Sequence, residues 1–329
     1  MKKDKIFAGF LKTICWHDNK IVDWASGAAY NLKGERTNFG YTPDFGDRAI
    51  CSANGEYAFV YKRLGTKELL LKNGKLLREI NRPYYCSDAY EYPAAFVTIG
   101  ARTYLIHCPV AYNQLDFEDA ETGELVTNIS GRNPDDFFHS RLEVSAGGKY
   151  LLDKGWVWHP IYRTVMFDIE ACLRNPLMLD NPQLEPKPFG EYCTASFIDN
   201  STIVVGSSDE VQDEEDNWFP AKHIAVWDLK TDKLSEPVKV RSEFGNIFAI
   251  SSRYVWDMYK YPKIINVQTG EVVDEDTGVK GSLESSPMTG NSDNYPAIAF
   301  NRHTKQIAVQ GDEEIIVLTP DEAFLSATL

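Results

Sequence analysis

Short runs of β-branched and aromatic residues alternate with tight polar turns along the whole chain, the pattern of antiparallel hairpins. The clearest instance is Leu142 to Glu170. Leu142-Glu143-Val144-Ser145 runs into a Gly147-Gly148 turn, Tyr150-Leu151-Leu152 runs back, and after a loop Thr164-Val165-Met166-Phe167 ends at Asp168. The same arrangement recurs seven times, at residues 13–24, 50–61, 94–107, 143–154, 196–207, 248–259 and 299–310. The turns are built from Asp, Asn, Gly, Ser or other polar residues, where hairpin chemistry wants them.

A third strand follows each inner hairpin, and usually a tight turn leads to a fourth, at residues 28–36, 68–80, 115–129, 164–173, 224–238, 263–273 and 313–321. Divided among seven units, 329 residues give 47 each. Four short strands at that period predict an all-β fold, a seven-bladed β-propeller with four antiparallel strands per blade. The expected blades are 13–40, 48–81, 94–130, 141–175, 194–240, 246–275 and 295–321, in one domain spanning 1–329. Blade 7 has a third strand, Ile315-Ile316-Val317-Leu318, but then Thr319-Pro320-Asp321 and a tail that reads as a helical turn. A closed ring leaves no edge exposed. The N-terminal segment, residues 5–10, is therefore expected to supply the missing outer strand of blade 7, with the tail Ala323 to Leu329 as the competing source.

Blade 5 carries the sharpest motif, Val226-Trp227-Asp228-Leu229-Lys230-Thr231-Asp232, which resembles the strand-ending dipeptide and turn of WD-repeat proteins. The turns Glu121-Thr122-Gly123-Glu124 and Gln268-Thr269-Gly270-Glu271 resemble those of divergent bacterial propellers. The chain is thus similar to the WD40-like or YVTN-like propeller superfamily, over its whole length in period and in blade 5 in motif. The Gly-His element of WD repeats is missing from every blade, so that family's buried hydrogen-bond network is not carried over.

In a propeller, the turns joining strands 1 to 2 and 3 to 4 lie on one face, and the 2-to-3 and interblade loops on the other. Here the first set is tight and the second long: 38–48, 81–93, 108–114, 130–140, 175–193, 207–222 and 278–295. Long loops on a rigid scaffold are where binding residues concentrate. That face also gathers Tyr41, Phe45, Tyr112, Phe138 and Tyr295. The residues expected to meet a partner are Tyr84, Tyr85, Tyr90, Tyr92, Asp135, Asp136, Phe137, Trp156, Trp158, Asp213, Glu214, Glu215, Asp216, Trp218, Phe219, Tyr259 and Tyr261.

Composition narrows the classes. Hydrophobic content of 43% supports a packed core, and no run approaches the about 18 apolar residues of a membrane span. Lys2, Lys3 and Lys5 precede an apolar stretch, but Lys12 interrupts it and no small-residue cleavage site follows, so it reads as a strand. A net charge of −14 disfavours nucleic acid and anionic membranes and leaves a basic protein partner open. Six cysteines without close pairs read as reduced buried thiols, favouring the cytoplasm.

Candidate chemistry is sparse. The acidic run Asp209 to Asp216 lacks the glycine and spacing of a Ca²⁺ loop, so no metal is expected. His107, His139 and His159 have no zinc spacing, and no C-x-x-C occurs. Cys15-Trp16-His17-Asp18 holds a nucleophile, base and acid in sequence, but neighbours along a strand point to opposite faces, so it reads as core and turn. No nucleophile elbow, P-loop or dinucleotide fingerprint is present. The expectation is a non-enzymatic protein-binding propeller, monomeric when unbound, without cofactor or metal, acting as a scaffold or as an immunity-type neutraliser of a basic partner. The rival is a carbohydrate-binding protein or hydrolase with carboxylates and aromatics at the channel mouth.

Overall fold

Seven antiparallel sheets follow one another along the chain, and each begins with the strand nearest the central axis. They are seen in a computed structural model that describes residues 1–158, 161–208, 218–288 and 295–326. Blade 2 shows the full pattern: Arg48–Cys51, Tyr57–Tyr61, Lys67–Lys72 and Lys75–Asn81 pair in order. The protein is a seven-bladed β-propeller.

The strands are apolar on both faces, and the core explains why. Side chains alternate across a strand, and each blade is packed between two others. In blade 4, Leu151 enters the cluster shared with blade 3, whereas its neighbour Leu152 enters the cluster shared with blade 5. In blade 5, Ile203 and Val205 face blade 4 while Val204 faces blade 6. Seven apolar clusters among the described residues fill the seven interfaces, including the one between blades 7 and 1 that completes the circle. An eighth cluster belongs to no such interface and lies under the loop-rich face.

The ring is closed by the N-terminal strand. Lys2–Phe7 pairs antiparallel with Glu314–Thr319, from Lys2 opposite Thr319 to Phe7 opposite Glu314. Ile6 points inward and joins the blade 7–blade 1 cluster, and Lys5 reaches Glu314 at 2.8 Å. The strand starts three residues earlier than the sequence suggests, and Phe10, with φ of 61°, has already left the sheet. The described tail is a single helical turn, Glu322–Leu325, and does not supply the closing strand.

Two outer strands depart from expectation. The sequence pattern predicts an outer strand pair over residues 164–173, yet after Ile161–Asp168 the chain forms a helix, Ile169–Arg174. The Asp168 carboxylate accepts from the Ala171 N–H at 2.9 Å, an N-cap that favours the helix over a further turn and strand. Among the described residues, blade 4's outer edge is completed by a Met166–Leu184 bridge, and blade 3's by a Glu118–Leu125 bridge.

A recurrent contact holds the loops. Asp23, Asp153 and Asp257 lie in the second strands of blades 1, 4 and 6, and all three are fully buried. Each accepts a backbone N–H from just ahead of its own blade's inner strand: Thr13 at 3.1 Å, Ser140 at 3.1 Å and Gly245 at 2.8 Å. A charged acceptor makes such a bond worth about 1.5–3 kcal/mol, and it anchors each entering loop on the loop-rich face.

Candidate functional site

The eighth cluster is built around the longest hairpin, Tyr150–Val157 with Ile161–Asp168, which extends beyond the blade on the loop-rich side. Phe138, in the loop entering blade 4, adds to its edge: the Phe138 N–H donates to the Trp156 carbonyl at 2.9 Å and the Trp156 N–H to the Phe138 carbonyl at 3.2 Å. Gly155 makes the approach possible. A Cβ there would stand 2.2 Å from the Phe138 carbonyl oxygen and 2.4 Å from the Phe137 ring.

On this base the rings assemble. Phe138 and Trp156 stack with centroids 3.8 Å apart, and Tyr90 meets Phe138 edge-on at 5.6 Å. Tyr85 lies over Phe138 at 6.0 Å, beside Tyr112 at 4.7 Å and Trp158 at 6.3 Å. Tyr85 and Trp158 remain about half exposed, at 49% and 46%, and Tyr84 is 82% exposed. The Tyr112 hydroxyl donates to Asp136 at 2.7 Å, and burial followed by that carboxylate holds its pKa well above the usual tyrosine value. Asp88, Asp135 and Asp136 are exposed on the same loops. The result is an aromatic platform, rigid beneath and accessible above, flanked by carboxylates.

The expected partner residues divide sharply. The platform brings together Tyr85, Tyr90, Trp156 and Trp158, with Asp136 bonded to it through Tyr112. Tyr90, Tyr92, Phe137, Trp156 and Phe219 are buried, so they support the surface rather than form it. Tyr92 bonds His107 at 2.8 Å, whose other ring nitrogen meets Glu118 at 2.9 Å. Phe219 packs on Tyr192 at 4.7 Å between the rings. Tyr259 and Tyr261 stand elsewhere, half-buried beside Lys260 and Lys263. Trp218, 74% exposed, is held by its N–H to the Phe189 carbonyl at 3.3 Å, and Phe189 is itself exposed. Asp213, Glu214, Glu215, Asp216 and His159 lie outside the described residues.

The central channel forms a cavity of about 700 Å³, lined by inner strands and the loops above them. Its mouth on the loop-rich face is crossed by a strap, residues 281–288, running from blade 6 to the far side of the ring. Ser282 bridges Tyr259 at one end and Met288 bridges Tyr90 at the other. At mid-span, Glu284 accepts from Arg63 of blade 2 and, at 3.2 Å, from Arg141 of blade 4. No local pattern announces this contact, because the three residues are far apart along the chain and lie in loops without periodicity.

Two further channel carboxylates, Glu91 and Glu143, are engaged by neighbouring side chains. Glu91 accepts from the Tyr61 hydroxyl at 2.8 Å, whose pKa is raised well above the usual value by burial and then by Glu91. Glu143 pairs with Lys154 at 3.2 Å, and burial lowers that lysine's pKa. His139 bonds Asp153 at 2.5 Å and the Asn113 carbonyl at 3.1 Å, a loop-holding rather than solvent-facing position. Among the described residues no group of three or more His, Cys, Asp or Glu could hold a metal ion, and no helix is long and apolar enough to cross a membrane. No disulfide joins the six cysteines.

No protein-family model matches the chain, and no curated protein matches it in sequence. Among solved structures, a chain of the "Crystal Structure of Mitotic Checkpoint Complex" aligns with a TM-score of 0.56 at 10% identity, covering 96% of this chain and 91% of that one. At that identity the likeness is one of fold. In blade 5 the motif residue Trp227 is fully buried, its ring N–H donating to Asp232 at 3.2 Å, while Asp228 accepts the turn's Lys230 N–H at 2.8 Å. A fold of this kind hosts many functions, so function is argued from the site.

Proposed function

We propose that this propeller is a binding protein that engages another protein, basic in character, through its loop-rich face. The observation that carries the reading is the aromatic platform. Tyr85 and Trp158 are exposed on a buried Phe138–Trp156 stack, Tyr84 is exposed beside Tyr85 in the chain, and Val110, Ile129, Phe189, Trp218 and Leu283 add exposed apolar area on loops of the same face. Rigid Tyr and Trp side chains bury large area at low entropic cost and dominate interface hot spots. The flanking acids and the net charge of −14 favour a basic partner by steering its approach.

The channel supports binding over hydrolysis. Glycoside hydrolysis uses a carboxylic acid and a carboxylate that both face the scissile bond, whereas Glu91, Glu143 and Glu284 are each bonded to a neighbouring side chain, and the strap crosses the mouth on this face. The free thiols fit a reducing compartment such as the cytoplasm. An assembly scaffold and a neutraliser of a basic toxin both fit the face, and the charge favours the second.

The test compares capture from host extract by the wild type, a Tyr85→Ala/Trp158→Ala variant, and a variant with Asp213, Glu214, Glu215 and Asp216 changed to Asn or Gln. The expected result is a basic protein retained by the wild type, lost by the aromatic variant, and bound with a slower, less salt-dependent association by the acid-neutralised one. Equal retention by the wild type and both variants would place the binding surface elsewhere.

A further inference from the structure

Cys15 and Cys51 face each other across the interface between blades 1 and 2. Their sulfurs are 3.6 Å apart, and both thiols are directed at the same acceptor, the Trp16 carbonyl, at 3.5 Å and 3.3 Å. They sit on adjacent inner strands, Cys15–His17 and Arg48–Cys51, and both line the central channel. Cys15 is buried, and Cys51 is half-buried. By contrast, Cys108 and Cys172 are enclosed in the cluster between blades 3 and 4. Two thiols already in contact, one reachable from a cavity of about 700 Å³, make a dithiol rather than two isolated core residues.

We propose that Cys15 and Cys51 form a redox-modification site, a channel dithiol that low-molecular-weight disulfides convert reversibly into a bond between blades 1 and 2. The more accessible Cys51 sulfur, as thiolate, attacks one sulfur of the small disulfide. That S–S bond breaks, a mixed disulfide forms, and the first small thiolate leaves and takes up a proton. Cys15 then loses its proton and attacks the Cys51 sulfur, expelling the second small thiol. Two protein thiols are oxidised, one small disulfide is reduced to two thiols, and the electrons balance. The sulfurs must close from 3.6 Å to the about 2.05 Å of a bond, a movement of side-chain size. The two strands belong to different blades, so the new bond ties one interface of the ring covalently. In a reducing compartment such a bond is transient and follows the local thiol–disulfide poise.

The experiment treats the folded wild-type protein with oxidised glutathione, blocks remaining thiols with an alkylating reagent, and maps the cysteine peptides by mass spectrometry. The expected result is a single cross-linked species joining the Cys15 and Cys51 peptides, four alkylated cysteines elsewhere, and full reversal by dithiothreitol. The oxidised protein should melt about 5 °C higher than the reduced one, because the cross-link restricts the unfolded chain. Cys15→Ser should leave a stable glutathione adduct on Cys51, since the resolving thiol is gone. Recovery of all six cysteines alkylated, cross-links between other cysteines, or separate adducts on Cys15 and Cys51 in the wild type would overturn the proposal. The wild-type map decides it even where a variant fails to fold.

Discussion

The rings of Phe138 and Trp156 are parallel to within 3° at 3.8 Å, while their backbones exchange hydrogen bonds of 2.9 and 3.2 Å. One residue comes from the loop entering blade 4 and the other from the blade's own hairpin, so the pair joins loop to scaffold and fixes the height of everything above it. Substitution should separate support from contact. Trp156→Ala should cost about 3–5 kcal/mol of stability, because the ring is buried, whereas Trp158→Ala should leave the melting temperature nearly unchanged and weaken partner binding by about 2 kcal/mol. Denaturant unfolding and binding kinetics on the two variants check both halves.

Ring closure depends on the N-terminal strand. Removing residues 1–7 deletes six cross-strand pairs with Glu314–Thr319 and uncovers the blade 7–blade 1 cluster at Ile6. At about 0.2–1 kcal/mol per pair plus the lost burial, the truncated protein should lose about 3 kcal/mol or more, read by calorimetry. A truncated protein melting with the full-length one would show that the closing strand adds nothing to the ring.

Glu284 is shared by two guanidinium groups whose side chains are only 9% and 4% exposed, its single negative charge offsetting one of their two positive charges. Glu284→Gln leaves those charges buried and uncompensated, a change that costs about 3–5 kcal/mol. Adding Arg141→Met should recover part of the loss, since the two residues share one interaction and their effects are then non-additive. A double-mutant cycle by urea unfolding measures the coupling.

Glu68 should give the protein a distinct pH dependence. It is buried in blade 2 with neither carboxylate oxygen hydrogen-bonded among the described residues, and desolvation pushes its pKa up to about 8, against the pull of Arg82. A group with a folded pKa above its unfolded value binds its proton more tightly when folded. Its contribution is therefore full below the unfolded value of about 4.3 and is lost as pH rises towards 8, at up to about 1.4 kcal/mol per pH unit. Glu68→Gln should flatten the fall of stability between pH 5 and pH 8, as measured by thermal unfolding across that range. Identical pH profiles for the two proteins would mean that Glu68 ionises inside the fold at little cost.

The sequence by itself determined the blade count, the strand order within the inner hairpins and the face that carries the long loops, and narrowed the closing strand to the N-terminal segment or the tail, between which the structure decided. These follow from local rules: period-2 apolar runs, polar turns and a repeat length that recurs seven times. It also placed Tyr84, Tyr85 and Trp158 on the loop-rich face, in one group with rings that prove buried. What only the tertiary structure decided depends on residues distant in the chain. Tyr90, Tyr92, Phe137, Trp156 and Phe219 look the same in sequence as the exposed rings, and burial by neighbouring loops alone separates them. The Glu284 strap and the Cys15–Cys51 contact are set by blade-to-blade packing, which brings together side chains that no local period relates; the Asp23, Asp153 and Asp257 anchors join a second strand to the loop entering the same blade, and burial alone marks them. The helix at Ile169–Arg174 was hidden because a β-branched run leads into it, and one capping carboxylate, Asp168, redirected the chain.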